Sequence, residues 1–271
     1  MKAVVTKKQN GEVAVEEREK PSPGSGRVLI WVHTCGVCRS DLAVLQAAFP
    51  FVQFPLVPGY EAAGVVGGRR RRRLAGVGSP RRDALALLLV RPLRAVHARR
   101  GGTVSGGPAG NRRYHQRLLR GVHGRRHLRR PIPDALNSAD AAPLMRAGLT
   151  VYYGLRNAGF EPGDRVAVIG LGGLGHLSVL YAKAVGTRVA VLSGSPDKED
   201  EAKELGAERF ISEEGTVLSE VILDWEGGAN IILATAPSTT PMSDALPGLA
   251  PNGTLAVLGA TAVEISVTRW T

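Results

Sequence analysis

Residues 165–175, RVAVIGLGGLG, constrain the fold of this chain more than any other stretch. A β-branched apolar run ends in a glycine-rich turn, and the next residues, GHLSVLYAKAVG, have the pattern of a helix that ends at Gly186. A second apolar run, RVAVLS, follows at once. Because strand, helix and strand at this spacing need a crossover connection, the chain is predicted to contain a parallel sheet covered by helices.

The alternation continues toward the carboxyl terminus. DKEDEAKELGA is typical of a second helix, and RFI, ANIILATA and GTLAVLGA predict a third, fourth and fifth strand. The fold class indicated for this half is α/β with a doubly wound parallel sheet.

Residues 1–67 follow another pattern. They contain three short β-rich runs separated by turn residues, and CRSDLAVLQ then predicts a short helix. Further along, SADAAPLMRAGLTVYYGLRNAG predicts a helix with Asp134 as a candidate cap. The chain therefore combines a β-rich part with an α/β part.

The glycine turn has the spacing G-x-G-x-x-G in the strand-to-helix context that this pattern needs to bind a dinucleotide. Its glycines permit a tight turn, close approach of the backbone to a diphosphate and close packing of helix on strand. The first turn of the helix supplies N–H groups and the positive end of the helix dipole. The residues of this loop are Gly170, Leu171, Gly172, Gly173, Leu174 and Gly175.

The end of the second strand bears on the choice of cofactor. An NAD site places Asp or Glu there to bind the ribose 2′-hydroxyl. This chain has Ser193, Gly194 and Ser195, with Lys198 behind them. Hydroxyls and a cation suit a 2′-phosphate better than a carboxylate does, so the sequence favours NADP(H), and NAD(H) stays open as the alternative.

The net charge of +11 is concentrated in one segment. Residues 68–130 contain 19 arginines, no lysine and one acidic residue, Asp83, so the rest of the chain is net negative. The segment has no helical or β period, although DALALLLVRPL is apolar enough for one strand or helical turn. Arginines bind phosphates. With Tyr114 as its single aromatic residue and no recognisable binding module, however, the segment disfavours nucleic acid as a partner.

Three features of the sequence bear on cellular location: its apolar runs, its first residues and its two cysteines. No apolar run approaches the roughly 20 residues of a membrane span, and the first residues have no signal-peptide pattern. Cys35 and Cys38 stand three apart in TCGVCRS, a spacing typical of metal or redox chemistry in a reducing compartment. We expect a cytoplasmic protein without a membrane anchor.

Four stretches occur together in one order: HTCGVCRSDL, PLVPGYEAAGVV, AAPLMRAGLTVYYGLR and GDRVAVIGLGGLGHLSVLYAKAVG. In this order and spacing they resemble the zinc-containing alcohol dehydrogenases of the medium-chain dehydrogenase/reductase family, and most of all its cinnamyl and other aldehyde-reducing enzymes. The resemblance implies an N-terminal GroES-like β domain, a Rossmann cofactor domain, an active site between them and a homodimer. We expect the first domain over residues 1–150 and the second, truncated after about five strands, over residues 151–271.

The resemblance also implies roles for residues of the first domain. Cys38 matches the first catalytic zinc ligand, and Ser40 matches the hydroxyl that relays the alcohol proton. Asp41 matches the acid that orients a metal-bound histidine, and Glu61 stands beside the site as an oxygen donor. In the family, zinc polarises the carbonyl while hydride moves to or from the nicotinamide ring. Of the cofactor contacts, Arg39 matches a basic residue near the phosphates and Thr150 a residue bordering the nicotinamide.

Two ligand positions depart from the family. Where the family has the histidine of PGHE and a later cysteine, this chain has Tyr60 and Arg146. Tyrosine is a poor zinc ligand near neutral pH because its phenol pKa is about 10, and arginine cannot coordinate a metal. Since a catalytic zinc needs three protein ligands, we expect no tightly bound catalytic zinc in this chain.

The arginine-rich segment 68–130 departs as well. The family continues its first domain here and usually carries four closely spaced cysteines for a structural zinc, none of which is present. The length of the gap is nevertheless about right. We interpret the segment as translated out of frame between two compensating insertions or deletions, with a genuine insertion as the alternative.

Three functions follow from these observations. The first is an oxidoreductase that transfers hydride between NADP(H) and a small alcohol or aldehyde, zinc-dependent by family. The second is a zinc-independent NADPH quinone or enal reductase, which the missing ligands favour and the retained CGVCRSD disfavours. The third, from another class, is a nucleic-acid-binding arginine-rich insertion on an inactive dehydrogenase scaffold.

Overall fold

The computed structural model describes residues 1–22, 27–49, 52–59, 61–69, 82–86, 122–125 and 129–259. The described residues divide into two compact units, one of residues up to Arg146 and one from Ala147 onward. The predicted domain limits, 1–150 and 151–271, stay a prediction.

The first unit is built on antiparallel strands. A hairpin joins two of them, and five others form a sheet of order β6-β3-β4-β5-β7 in which every neighbouring pair is antiparallel. The strands are β1 (Lys2–Thr6), β2 (Val13–Glu17), β3 (Arg27–Gly36), β4 (Glu61–Arg69), β5 (Arg82–Ala86), β6 (Val122–Arg125) and β7 (Arg129–Pro131).

Four strands of this sheet include residues of the arginine-rich segment 68–130: the end of β4, and β5, β6 and most of β7. The sequence predicted no regular element over most of this segment. β5 coincides in part with the apolar run DALALLLVRPL, and β6 and β7 had no signal in the periodicity. These strands are held in the sheet by backbone hydrogen bonds to their neighbours, and such hydrogen bonds do not depend on an alternating side-chain pattern. The other residues of the segment lie outside the described part, so the structure does not test its interpretation as out of frame.

Short helices complete the first unit. α1 (Arg39–Leu45) follows β3, and α2 (Ser138–Pro143) packs its Ala141 and Ala142 against Ala63 of β4. Asn137 caps α2, its Oδ1 accepting a hydrogen bond from the Asp140 N–H at 2.9 Å, so the expected cap at Asp134 is wrong. A π-helical turn, Leu144–Gly148, follows α2 directly.

The second unit is the parallel α/β part that the sequence predicted. Its sheet has the order β10-β9-β8-β11-β12 with every neighbouring pair parallel. The strands are β8 (Arg165–Ile169), β9 (Arg188–Ser193), β10 (Arg209–Ser212), β11 (Ala229–Ala234) and β12 (Leu249–Val257), and the helices are α3 (Leu149–Ala158), α4 (Gly173–Ala184), α5 (Glu199–Glu204), α6 (Leu218–Leu223) and α7 (Thr240–Ala245). The GroES-like plus doubly wound α/β fold class is confirmed by the relatives reported below.

Both faces of the parallel sheet are buried. Val166 and Val168 of β8 face one apolar cluster, and Ala167 and Ile169 face another on the opposite side. All four side chains are fully buried, which is why the strand reads as a continuous apolar run rather than an alternating one. The sheet therefore holds the carboxyl ends of its strands in fixed positions.

Candidate functional site

The strand order reverses between β8 and β11, because the chain winds from β8 to β9 and β10 on one side and to β11 and β12 on the other. In sheets of this kind a crevice forms at the carboxyl ends of the strands at that point, and ligands bind there. The glycine turn 170–175 links β8 to α4 and lies at this crevice. The sequence-predicted loop and the topological switch point therefore coincide.

Two glycines of the turn are required by the protein itself. Gly170 has φ of 87°, a backbone conformation that other residues adopt at a cost. A Cβ on Gly175 would collide with the carbonyl oxygen of Gly170, so only glycine lets α4 start this close to the end of β8. These two positions are explained by internal packing alone.

Internal packing does not explain the two glycines between them. Gly172 has φ of −105° and ψ of −162°, an ordinary extended conformation, and serves as the N-cap of α4 without a side chain to cap it. A Cβ on Gly172 or on Gly173 would meet no atom within 4 Å, and both residues are exposed. The backbone at the start of this 12-residue helix is thus uncovered, and the space above it suits an anionic ligand.

The turn is fixed from the neighbouring strand by Thr235, which directly follows β11. Its hydroxyl donates to the carbonyl oxygens of Ile169 at 2.8 Å and Gly170 at 2.9 Å, and its N–H donates to Ile169 at 3.0 Å. Thr235 was not among the residues predicted from the sequence. Its signal is a hydroxyl placed directly after the predicted strand ANIILATA, where it joins the two strands that border the crevice.

Lys198 lies against the turn although it follows Leu171 by 27 positions in the chain. Its Nζ donates to the carbonyl oxygen of Leu171 at 2.8 Å. The ring of His176 lies between two further groups, with Nδ1 2.9 Å from the Gly172 carbonyl oxygen and Nε2 2.7 Å from Oε1 of Glu201. The structure thus brings the predicted lysine to the predicted loop.

The end of β9 is a tight turn of small residues. Ser193 is buried, and its Oγ accepts a hydrogen bond from the N–H of Ser195 at 3.2 Å. Gly194 is exposed and Ser195 is half-buried. Gly194 and Ser195 therefore face the surface at this strand end, whereas the Ser193 hydroxyl is engaged within the turn.

The two leucines of the loop have a packing role. Leu171 is buried in the core cluster between β8 and the helices, and Leu174 packs against the same cluster. Thr150 is half-buried near the start of α3. No described contact tests its predicted position beside a nicotinamide.

In the first unit, the predicted catalytic residues lie at the start of α1. Cys38 is the N-cap, and its Sγ accepts a hydrogen bond from the N–H of Ser40 at 3.1 Å. Oδ2 of Asp41 accepts in return from the Cys38 N–H at 2.9 Å, which completes a capping box. Arg39 is exposed at the first position of the helix.

Asp41 is buried at 6% exposure, and its surroundings act on its pKa in both directions. Burial raises the pKa of Asp41, and hydrogen bonds from the backbone of Cys38 and Gly59 oppose the increase. The acid that the family uses to orient a metal-bound histidine thus joins the start of α1 to the residue preceding Tyr60. Tyr60 itself lies outside the described residues.

Glu61 begins β4 opposite Gly36 of β3 and is buried at 3% exposure. A Cβ on Gly36 would collide with the Glu61 carboxylate, so glycine at position 36 makes room for it. The Glu61 carboxylate therefore lies over Gly36 of the neighbouring strand, and its role as an oxygen donor beside Cys38 stays a prediction.

Arg146 occupies the centre of the π-helical turn Leu144–Gly148 and is half-buried. Within the described ranges, no three groups of the types that ligate metals lie close enough together to hold an ion. At the positions that match the family's zinc site, the available donors are the Cys38 thiol and the neighbouring Glu61 carboxylate, and the third ligand position carries the permanent cation of Arg146. The residues present do not fit a tetrahedral catalytic zinc, which needs three donors.

As for membranes, no helix in the described part of the chain has the length and apolarity to cross a bilayer.

Comparison with known proteins identifies the family. Residues 24–74 match the family model of the alcohol dehydrogenase GroES-like domain, and residues 173–269 match that of zinc-binding dehydrogenases. An alcohol dehydrogenase of Geobacillus stearothermophilus is 30% identical over 285 residues, which cover 98% of this chain and 79% of that protein. The two matched models stand in the order that the sequence motifs predicted.

Solved structures agree. A cinnamyl alcohol dehydrogenase of Sorghum bicolor has a TM-score of 0.78 at 26% identity, covering 98% of this chain and 78% of that one. A quinone oxidoreductase of Thermus thermophilus, solved also in complex with NADPH, has a TM-score of 0.71 at 26% identity, covering 94% and 72%. On these grounds the chain belongs to the alcohol dehydrogenases of the medium-chain dehydrogenase/reductase family.

Proposed function

We propose that this chain binds NADP(H) at the glycine turn and transfers hydride between it and a small alcohol or aldehyde. The observation that carries the proposal is the uncovered backbone at Gly172 and Gly173. Both glycines are exposed, neither is needed for internal packing, and they open a helix of 12 residues at the switch point of a parallel sheet. A dinucleotide diphosphate is the anion that such a start of a helix binds.

The preference for NADP(H) over NAD(H) rests on the end of β9. No acidic residue stands between Ser193 and Pro196, and the Lys198 ammonium lies beside the loop through its hydrogen bond to Leu171. A cation and small polar residues favour a ribose 2′-phosphate. The relative from Thermus thermophilus, solved with NADPH, supports the same choice.

When bound, the dinucleotide supplies or accepts the hydride. We assign the other end of the reaction to the start of α1, where the half-buried Ser40 hydroxyl is proposed to hold the proton that the alcohol loses. Asp41 positions this turn through its hydrogen bond from the Cys38 N–H. Arg39 and Thr150 are proposed to contact the cofactor, as the resemblance implies. We derive no step through zinc, because the donor set does not fit the metal.

A second candidate is a zinc-independent NADPH reductase of quinones or enals. The specific observation in its favour is Arg146, a half-buried cation at the third ligand position. The structural likeness to the Thermus quinone oxidoreductase agrees with it but does not separate it from the first candidate, since both relatives share the fold. The nucleic-acid alternative depends mostly on residues outside the described part, and the homodimer stays a prediction.

Cofactor binding is tested with the purified full chain by titration with NADPH and NADH, followed by thermal shift and tryptophan fluorescence. We expect both to bind, NADPH more tightly. Gly173→Glu places a negative charge where the diphosphate is proposed to bind, so the affinity for both dinucleotides should fall by about tenfold or more. The Tm should not fall, because an acidic residue is favourable in the first turn of α4. Gly173→Ala is the control for size without charge. A folded wild-type chain that binds neither dinucleotide would refute the proposal.

The two candidates are separated by metal analysis together with substrate assays. Reduction of aldehydes by NADPH supports the first candidate, and reduction of quinones or enals without reduction of aldehydes supports the second. Activity that disappears with a chelator and returns with zinc would show that the donor set does hold the metal.

A further inference from the structure

Glu213 directly follows β10, and the cofactor chemistry described above does not use it. β10 is the parallel neighbour of β9, with Ser212 opposite Ser193, and the N–H of Glu213 donates to the Ser193 carbonyl oxygen at 3.1 Å. Glu213 therefore lies beside the last residue of β9, at the strand end where the sequence has no acid.

The Glu213 side chain extends toward β9. Its Oε2 lies 3.3 Å from the position that a Cβ would take on Gly194. Because Gly194 has no side chain and is exposed, nothing from that residue separates the carboxylate from the surface at the end of β9. Glu214, the next residue, is exposed and serves as an internal comparison.

The carboxylate is half-buried, and no donor or cation in the described part of the chain stabilises its negative charge. Burial raises the pKa of Glu213. The Lys198 ammonium, which is assigned to the cofactor site, is hydrogen-bonded to the Leu171 carbonyl instead. The carboxylate is thus available to accept a hydrogen bond from a ligand.

A carboxylate at this strand end discriminates between the two dinucleotides. It accepts a hydrogen bond from a ribose 2′-hydroxyl and repels a 2′-phosphate. The usual source of that carboxylate is the second strand of the sheet, which here ends in Ser193 without an acid. The geometry supplies one from the third strand.

We propose that Glu213 is a specificity-determining residue of the cofactor site, lowering the affinity for NADP(H) relative to NAD(H). It opposes Lys198, so the chain discriminates between the two dinucleotides less than the end of β9 alone would suggest. The proposal rests on the proposed function, because it needs the adenosine ribose to lie at this edge of the sheet.

The test is a titration of the full wild-type chain, Glu213→Gln and Glu214→Gln with NADPH and with NADH, with Kd taken from fluorescence. In Glu213→Gln we expect the Kd for NADPH to fall by about fivefold and that for NADH to stay equal or rise, as removal of one nearby charge predicts. In Glu214→Gln the ratio of the two Kd values should stay within about twofold of the wild type, because its exposed charge is screened by solvent. Tm values report whether each variant is folded.

An unchanged ratio in Glu213→Gln, or an equal change in Glu214→Gln, would overturn the proposal while leaving dinucleotide binding itself intact. If the folded wild-type chain binds neither dinucleotide, the proposed function fails and this proposal fails with it. The two failures are distinguishable: if only the Glu213 proposal fails, the wild-type chain still binds dinucleotide, whereas if the proposed function fails, it binds none.

Discussion

The glycine turn of the parallel sheet would bind its ligand through backbone groups, whereas the Cys38 turn of the antiparallel unit would bind through side chains. The first consists of backbone: positive φ at Gly170, an uncovered helix start at Gly172 and carbonyls tied by Thr235. The second depends on side-chain donors, two of which are replaced by Tyr60 and Arg146. A site made of backbone persists as long as the strands around it fold, whereas a site made of ligands is lost when one side chain changes.

The largest effect is expected from restoring the ligands. Tyr60→His combined with Arg146→Cys would give three donors with Cys38, enough for a tetrahedral site with one open position. We expect zinc content after metal loading and desalting to rise from a small fraction to about one per chain, because such sites bind with large free energies. The measurement is elemental analysis of the desalted protein.

Cys38→Ala in the double-variant background is the control and should abolish the gain. If the double variant holds no more zinc than the wild type, the two missing ligands do not by themselves explain the loss of the metal site.

Next in size is Gly175→Ala, which tests whether the backbone-built region depends on close packing. The added Cβ would collide with the Gly170 carbonyl oxygen, and overpacking of this kind costs about 1–3 kcal/mol or more. Denaturant unfolding measures the loss. Gly172→Ser is the matched control, because its Cβ meets open space and serine is a good N-cap, so its stability should equal or exceed that of the wild type.

A smaller loss of stability is expected from Asp41→Ala, which removes one member of the capping box. The Cys38 N–H loses its acceptor, and loss of a cap costs about 1 kcal/mol. Asp41→Asn keeps an acceptor oxygen and should cost less. Denaturant unfolding measures both losses, and a loss in Asp41→Asn as large as that in Asp41→Ala would contradict the role of the Asp41 carboxylate oxygen as the acceptor for the Cys38 N–H.

The smallest effect is a pH dependence at Glu213. Burial raises the pKa of this carboxyl, so the folded chain holds the proton to higher pH than the unfolded chain and ionisation opposes folding. Glu213→Gln removes that cost. Its stability relative to the wild type should be greatest near neutral pH and vanish as the pH falls below the ordinary pKa of glutamate. Denaturant midpoints at about pH 4 and about pH 7, with Glu214→Gln as control, measure the difference.

The sequence predicted the parallel sheet closely because local pattern and global fold agree there. Each of its five strands is an apolar run bounded by glycine or polar residues, and the glycine turn could be placed on the strand that carries it. α6 and α7 were missed, since each has only six residues and too few turns to show a period. Pro241 at the start of α7 was the available signal for the second of them.

The candidate site was predictable only in part. Loop and lysine were identified from residue type, but the hydrogen bond from Lys198 to Leu171 joins residues far apart in sequence and follows from strand order. The same is true of Thr235 and Glu213, which reach the site from strands that follow it in the chain. In the antiparallel unit the sequence showed which ligands are absent but not that Cys38 and Asp41 form the capping box of α1.

The carbonyl oxygen of Ile169, the last residue of β8, accepts hydrogen bonds from the N–H groups of both Thr235 and Ala236 and from the Thr235 hydroxyl. Both amides lie beyond the end of β11, where a connecting loop would normally exchange its protons with solvent freely. Because they are fastened to a fully buried strand, these amides should open only together with the sheet itself. We therefore expect slow hydrogen exchange at the rim of the crevice, as in the sheet interior, so that its backbone keeps one conformation before a ligand binds.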